Sequence, residues 1–114
     1  DLALGEISES IRTRTSVSGN ITLDPAEGPV DYITTSGDIT VEGFDTPLAG
    51  TSVTMIISSS SHTVAFAETN STFYGVDGED PTLTGLDLIH VFCLDDTTDA
   101  EVYIVTHVGG YGSI

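Results

Sequence analysis

Apolar and polar residues alternate along this chain in short runs. From Thr51 onward, Val53, Met55 and Ile57 fall on one side, with Thr54 and Ser58 among those on the other. A period of two is that of a half-buried strand. The same reading predicts strands over 20–23, 31–35, 38–42, 51–58, 62–66, 72–74, 87–94 and 100–107. Turn chemistry separates them: Ser36-Gly37, the serine run beside His62, Asp77-Gly78-Glu79-Asp80-Pro81, and Asp95-Asp96-Thr97-Thr98-Asp99 as the loop of a final hairpin.

No window of 11 or more residues holds helical apolar spacing. A single turn around Leu4 to Ile11 reads better as an extended arm. The 17 Thr and 12 Ser add to the strand bias. About eight short strands at regular spacing predict an all-β fold, a small antiparallel β-sandwich of jelly-roll-like form. Residues 1–16 form an N-terminal arm and 17–114 the sandwich domain. Ser18-Gly19-Asn20-Ile21-Thr22-Leu23 is echoed by Ser36-Gly37-Asp38-Ile39-Thr40-Val41, which predicts two equivalent strands, too few repeats for a solenoid.

The 114 residues are one domain's worth, and 39% hydrophobic content is enough for one core. The chain opens at Asp1, so a trimmed N-terminus is expected, and no charged-then-apolar leader is visible. No run approaches the ~20 apolar residues of a membrane span.

Charge changes the picture most. Eighteen acids stand against two arginines and no lysine, for a net charge of -16. Binding phosphate backbones needs Lys or Arg, so nucleic acids and anionic membranes are excluded as partners. Repulsion this strong is relieved by salt, which makes a halophilic, salt-adapted protein one expectation and an ordinary acidic extracellular protein the other.

Several residues carry candidate chemistry. Ser59, Ser60 and Ser61 beside His62 have the residue types of a nucleophile and base, but no strained G-x-S-x-G turn surrounds them, so a loop between strands is expected. His90 and His107 come near each other if the last hairpin pairs them, although they lack metal-ligand spacing. Asp77, Asp80, Asp95, Asp96 and Asp99 sit in acidic loops able to offer oxygens to Ca²⁺ or another cation, without an EF-hand pattern; no other cofactor is indicated. Cys93, single within an apolar run, reads as a structural core residue. Asn20 and Asn70 head glycosylation acceptor triplets.

The order of segments resembles a β-rich module of virion proteins in tailed phages and related viruses. Ile21-Thr22-Leu23-Asp24 opens it, and Asp31-Tyr32-Ile33-Thr34-Thr35 and Asp38-Ile39-Thr40-Val41 follow. Gly50 precedes an alternating strand, and His62-Thr63-Val64-Ala65-Phe66 takes the place of a "tVtf" strand. Phe73-Tyr74-Gly75, Pro81-Thr82-Leu83-Thr84, the 86–92 segment and the 100–105 segment complete the likeness over residues 20 to 112. The chain departs from the pattern in having no Trp in the aromatic loop and an Asp-rich rather than glycine-containing loop before the last strand.

The resemblance implies a virion structural protein: a capsid decoration (cement) or head-spike protein on the outer, extracellular surface of the particle. Its partners would be the major capsid protein or other virion proteins, and a homotrimer is expected. Arg12 and Arg14 are the candidate contacts to the capsid or a neighbouring subunit. The alternatives are a tail-fibre or receptor-binding module touching host glycans through Tyr74 and Asp95, a hydrolase using the serine run, and a Ca²⁺-dependent carbohydrate-binding module. No enzyme activity is expected.

Overall fold

The two Ser-Gly-polar-Ile-Thr segments lie on neighbouring strands that run parallel. A computed structural model describes residues 10–59, 61–67, 70–75 and 81–111. β1 spans Ile11–Leu23 and β2 spans Val30–Phe44, joined through a short 3-10 turn at Pro25–Glu27. Their register runs from Ile11 opposite Val30 to Leu23 opposite Phe44. β3 (Ser52–Ser59), β4 (Val64–Phe66), β5 (Ser71–Tyr74), β6 (Gly85–Asp95) and β7 (Glu101–Val108) follow. The sheet order is β1-β2-β3-β6-β7-β5, with β4 also paired to β2.

β1 and β2 are long because they bend instead of reversing. In β1 the bend falls at Ser16 and Gly19, both in the left-handed region with φ of 55° and 78°. The register slips there, between Arg14 and Val17 and again before Gly19. Ser36-Gly37 was expected as a turn separating two strands, yet β2 passes through it unbroken. The two halves of β2 then take different partners: Val30 to Thr34 pair with β3, and Ile39 to Val41 pair with β4. β3 and β4 together thus repeat the course of β2, each paired with one of its halves.

The chain's first half is therefore a coil of stacked, bent rungs. This explains how parallel neighbours are joined by so few residues. A parallel pair ordinarily needs a crossover of about a dozen residues or more. Here the second half of each rung carries the chain back, and residues 24–29 and 45–51 close the gap.

The all-β reading holds, and the bend gives the seven-stranded sheet the two facing layers of a sandwich. The pairing differs from expectation. β1–β2, β2–β3, β2–β4 and β5–β7 are parallel, while β3–β6 and β6–β7 are antiparallel. The repeat judged too short for a solenoid does form stacked turns. The arm expected over 1–16 is, from Ile11 on, part of β1, and residues 1–9 lie outside the described residues. His62 and Thr63 precede β4 and are loop.

One core fills the space between the layers. Ile33, Met55, Ile57, Ile89, Val91 and Cys93 come from the first layer; Ile21, Leu23, Ile39, Val41 and Val64 come from the second. Each fully buried aliphatic side chain contributes about 1.5–3 kcal/mol. Aromatic rings join the layers: Tyr103 stacks on Phe73 at 4.9 Å and meets Phe44 at 5.1 Å, while Phe66 meets Phe73 at 5.0 Å. Gly43 is required at this junction. Its φ is +111°, and an added Cβ would lie 2.9 Å from the Tyr103 hydroxyl.

Candidate interaction surface

The strand alternation that buries odd-numbered residues of β3, β6 and β7 turns the even-numbered ones outward. Their registers place them in rows. Tyr32, Ile56, Leu88 and Val108 form one row across β2, β3, β6 and β7. Phe92, Ile104 and Tyr74 form another across β6, β7 and β5, with Ser52 at its start. Between them run Ile11, Val30, Thr54, His90 and Thr106. No Asp, Glu or Arg stands in any of these rows. Tyr74 is 61% exposed, Ile11 62%, Val108 43% and Ile104 40%.

The exposed acids lie elsewhere. Glu27 and Asp45 flank the turns between rungs with the half-buried Asp24, Asp38 and Glu42 belong to the second layer, and Asp95, Asp96 and Asp99 surround the β6–β7 loop. The exposed acids of the described residues thus lie off the sheet face, on a remainder that also carries Ser18, Asn20, Thr22 and the apolar Leu48. Isolated exposed hydrophobics are ordinary, but a contiguous patch marks an interaction site.

Two acids point inward in phase with the core. Asp31, 2% exposed, receives both Nε (3.1 Å) and a terminal nitrogen of Arg14. Arg12 stands opposite Asp31 in the strand register, but Arg14 reaches the carboxylate. Arg14 is therefore occupied within the chain, whereas Arg12 has no ion pair among the described residues. Asp87, fully buried, receives the amide of Thr84 (2.8 Å), its hydroxyl (3.1 Å) and lies 2.7 Å from His107 Nε2. These partners satisfy the buried carboxylates, as burial demands.

His90 and His107 do not pair with each other. His90 is opposite Thr106 and His107 is opposite Ile89, so the two rings lie on opposite faces. The serine run closes a loop: Ser59 Oγ accepts the His62 amide at 3.2 Å, and the His62 ring meets Thr35 Oγ1 at 2.9 Å. Ser60 lies outside the described residues.

In the last acidic loop, Asp95 accepts the Thr97 amide and hydroxyl (2.9 and 2.6 Å), and these bonds hold its carboxyl below the usual range. Asp96 accepts the Ala49 amide at 2.9 Å, and Asp99 has a left-handed φ of 60°. Among the described residues no three His, Cys, Asp or Glu side chains gather as metal ligands; Asp77 and Asp80 fall outside them. Burial, then the nearby Asp96 and Asp95, pushes the Cys93 thiol up, so it stays protonated and unreactive. A cleft of about 590 Å³ opens at the turns that join the rungs, between Pro25 and Leu48, with Thr51 in its wall. Asp24 beside it is engaged with the Ala26 amide at 3.0 Å.

Sequence reasoning flagged His107 but not its partner. The signal was present: Asp31 and Asp87 each occupy the apolar phase of an alternating strand, where an acid needs a dedicated partner. The outer face is not legible in the sequence because its apolar residues are spread over six strands whose pairing the sequence does not state. No family model, curated protein or solved structure matches the chain.

Proposed function

We propose that the chain is a structural protein of a virus particle, a decoration or head-spike protein displayed on the outer surface of the shell. The observation that supports this reading is the partition of charge on the molecule. An uncharged, apolar-rich sheet face belongs to a protein that assembles, and the acidic remainder keeps the assembled surface soluble and mutually repulsive. The ordered resemblance to virion modules supplies the setting. Arg12, unpaired within the chain among the described residues, serves as the contact to an acidic neighbour on the shell. Arg14 is held by Asp31.

Quantitative mass spectrometry of a purified particle tests this. A ratio to the major capsid protein near one, or a simple fraction of it, is expected for a lattice protein. A ratio in the hundredths would transfer the chain to the tail, where the exposed Tyr74 suits a receptor-binding role. Absence from every particle would overturn the proposal.

A further inference from the structure

We infer that the uncharged sheet face is covered by a second copy of this chain, docked face to face about a two-fold axis. The inference deepens the reading of that face as an assembly surface, and it stands apart from whether the assembly belongs to a virion. Charge favours this first. Each copy carries -16, so most ways of bringing two copies together press carboxylates against carboxylates. The rows through Ile56, Leu88, Phe92 and Ile104 hold no charge, and a face-to-face approach opposes only apolar and hydroxyl side chains.

Symmetry points the same way. A two-fold contact sets one patch against itself, whereas a ring of three sets two different patches together. Among the described residues the exposed acids lie off this sheet face, at the turns between rungs, on the second layer and around the β6–β7 loop. A heterologous ring would set this apolar-rich face against a patch of the remaining surface, where the exposed acids of the described residues lie. This favours a dimer over the trimer that the resemblance implies.

The dimensions suffice. Six strands at ~4.8 Å spacing give a face about 25 Å across, and strand lengths give roughly 20 Å the other way. That is on the order of 500 Å² in projection and more as accessible surface, the scale of the roughly 800 Å² per partner in a standard interface. The chemistry also fixes the response to salt. An apolar contact between two strongly negative bodies tightens as salt screens their repulsion, while an interface built on ion pairs loosens.

Light scattering coupled to size-exclusion chromatography, on the full chain at micromolar concentrations and from low to molar NaCl, tests the inference. The expected result is a particle of twice the 11.9 kDa monomer mass, with the dimer favoured by salt. Ile104→Glu together with Val108→Glu places carboxylates on the face at exposed positions and is expected to weaken association by about tenfold or more. Thr22→Glu, on the outer side of the second layer, is expected to leave it unchanged. Circular dichroism on each variant confirms that the strands persist. A monomer at all salt concentrations, a trimer, or a dimer indifferent to Ile104→Glu and Val108→Glu would overturn the inference. Particle mass spectrometry fails or succeeds separately, because a dimer absent from virions would sink only the virion reading.

Discussion

The phenol oxygen of Tyr103 on β7 accepts the backbone amide of Phe44 on β2 across the core, at 3.1 Å. This bond pins the end of the second layer to the first. Tyr103→Phe keeps the ring stack and removes the acceptor, leaving a buried amide without its partner. An unsatisfied buried donor costs about 1–3 kcal/mol. Urea denaturation should show a loss of that size with an unchanged m-value. A loss below measurement error would mean the layers are not joined at this point.

Arg14 and Arg12 should behave differently although they are two residues apart. Arg14→Ala strands the buried Asp31 carboxylate. Breaking a buried pair from one side costs about 3–5 kcal/mol, and the remaining exposure of Arg14 puts the expectation at the low end of that range. Arg12→Ala should change stability by less than about 0.5 kcal/mol, and the proposed contact of Arg12 with a shell neighbour predicts lower occupancy on the particle. Denaturation and particle-binding assays, run on both variants, separate the two roles. Equal destabilisation by both would remove the distinction drawn between them.

Alkaline pH should lower the stability of the fold. Burial pushes both Tyr103 and Cys93 above their ordinary values of 10.0 and 9.0. The folded chain holds these protons while the unfolded chain releases them. Stability is therefore full below about pH 9 and falls as pH rises beyond it. Cys93→Val should remove the part of the decline that begins near 9. At the acid end, Asp95 is held below its usual value by Thr97, so its contribution is present above 3.8 and is lost as pH falls further. A denaturation midpoint flat from pH 7 to 11 would contradict the alkaline half of this prediction.

Salt should stabilise the monomer fold as well as its association. A net charge of -16 with no lysine leaves repulsion that screening relieves. The thermal midpoint is expected to rise between low and molar NaCl. Equal midpoints would rule out the salt-adapted reading of the composition.

Strand positions were legible in the sequence wherever alternation was clean, as in β3, β6 and β7. Strand direction was not. Ser36-Gly37 has the residues of a reversing turn, but Gly37 does not take a left-handed φ and β2 continues through it. A parallel β1 edge supplies ladder partners on both sides of that point, and such tertiary pairing outweighs local turn preference. The echo around Ile21 and Ile39 did mark neighbouring strands. Its residues are offset by two from the true register, in which Ile21 faces Val41, because β2 carries two more residues than β1 between the Val17–Thr35 and Gly19–Ile39 pairs. The buried pairs Arg14–Asp31 and Asp87–His107 were half legible: an acid in the apolar phase announces a partner, but only the fold says which one.

The central claim is that the chain assembles through its uncharged sheet face. A spin label at Leu94→Cys in a Cys93→Ala background sits at the rim of that face, and one at Thr22→Cys sits on the opposite layer. Electron–electron distance measurements on the two singly labelled proteins test the claim most directly. The account predicts a narrow, short intermolecular distance from Leu94→Cys and a longer one, or none, from Thr22→Cys. A short distance from Thr22→Cys, or no coupling from Leu94→Cys at concentrations where the chain is associated, would contradict it.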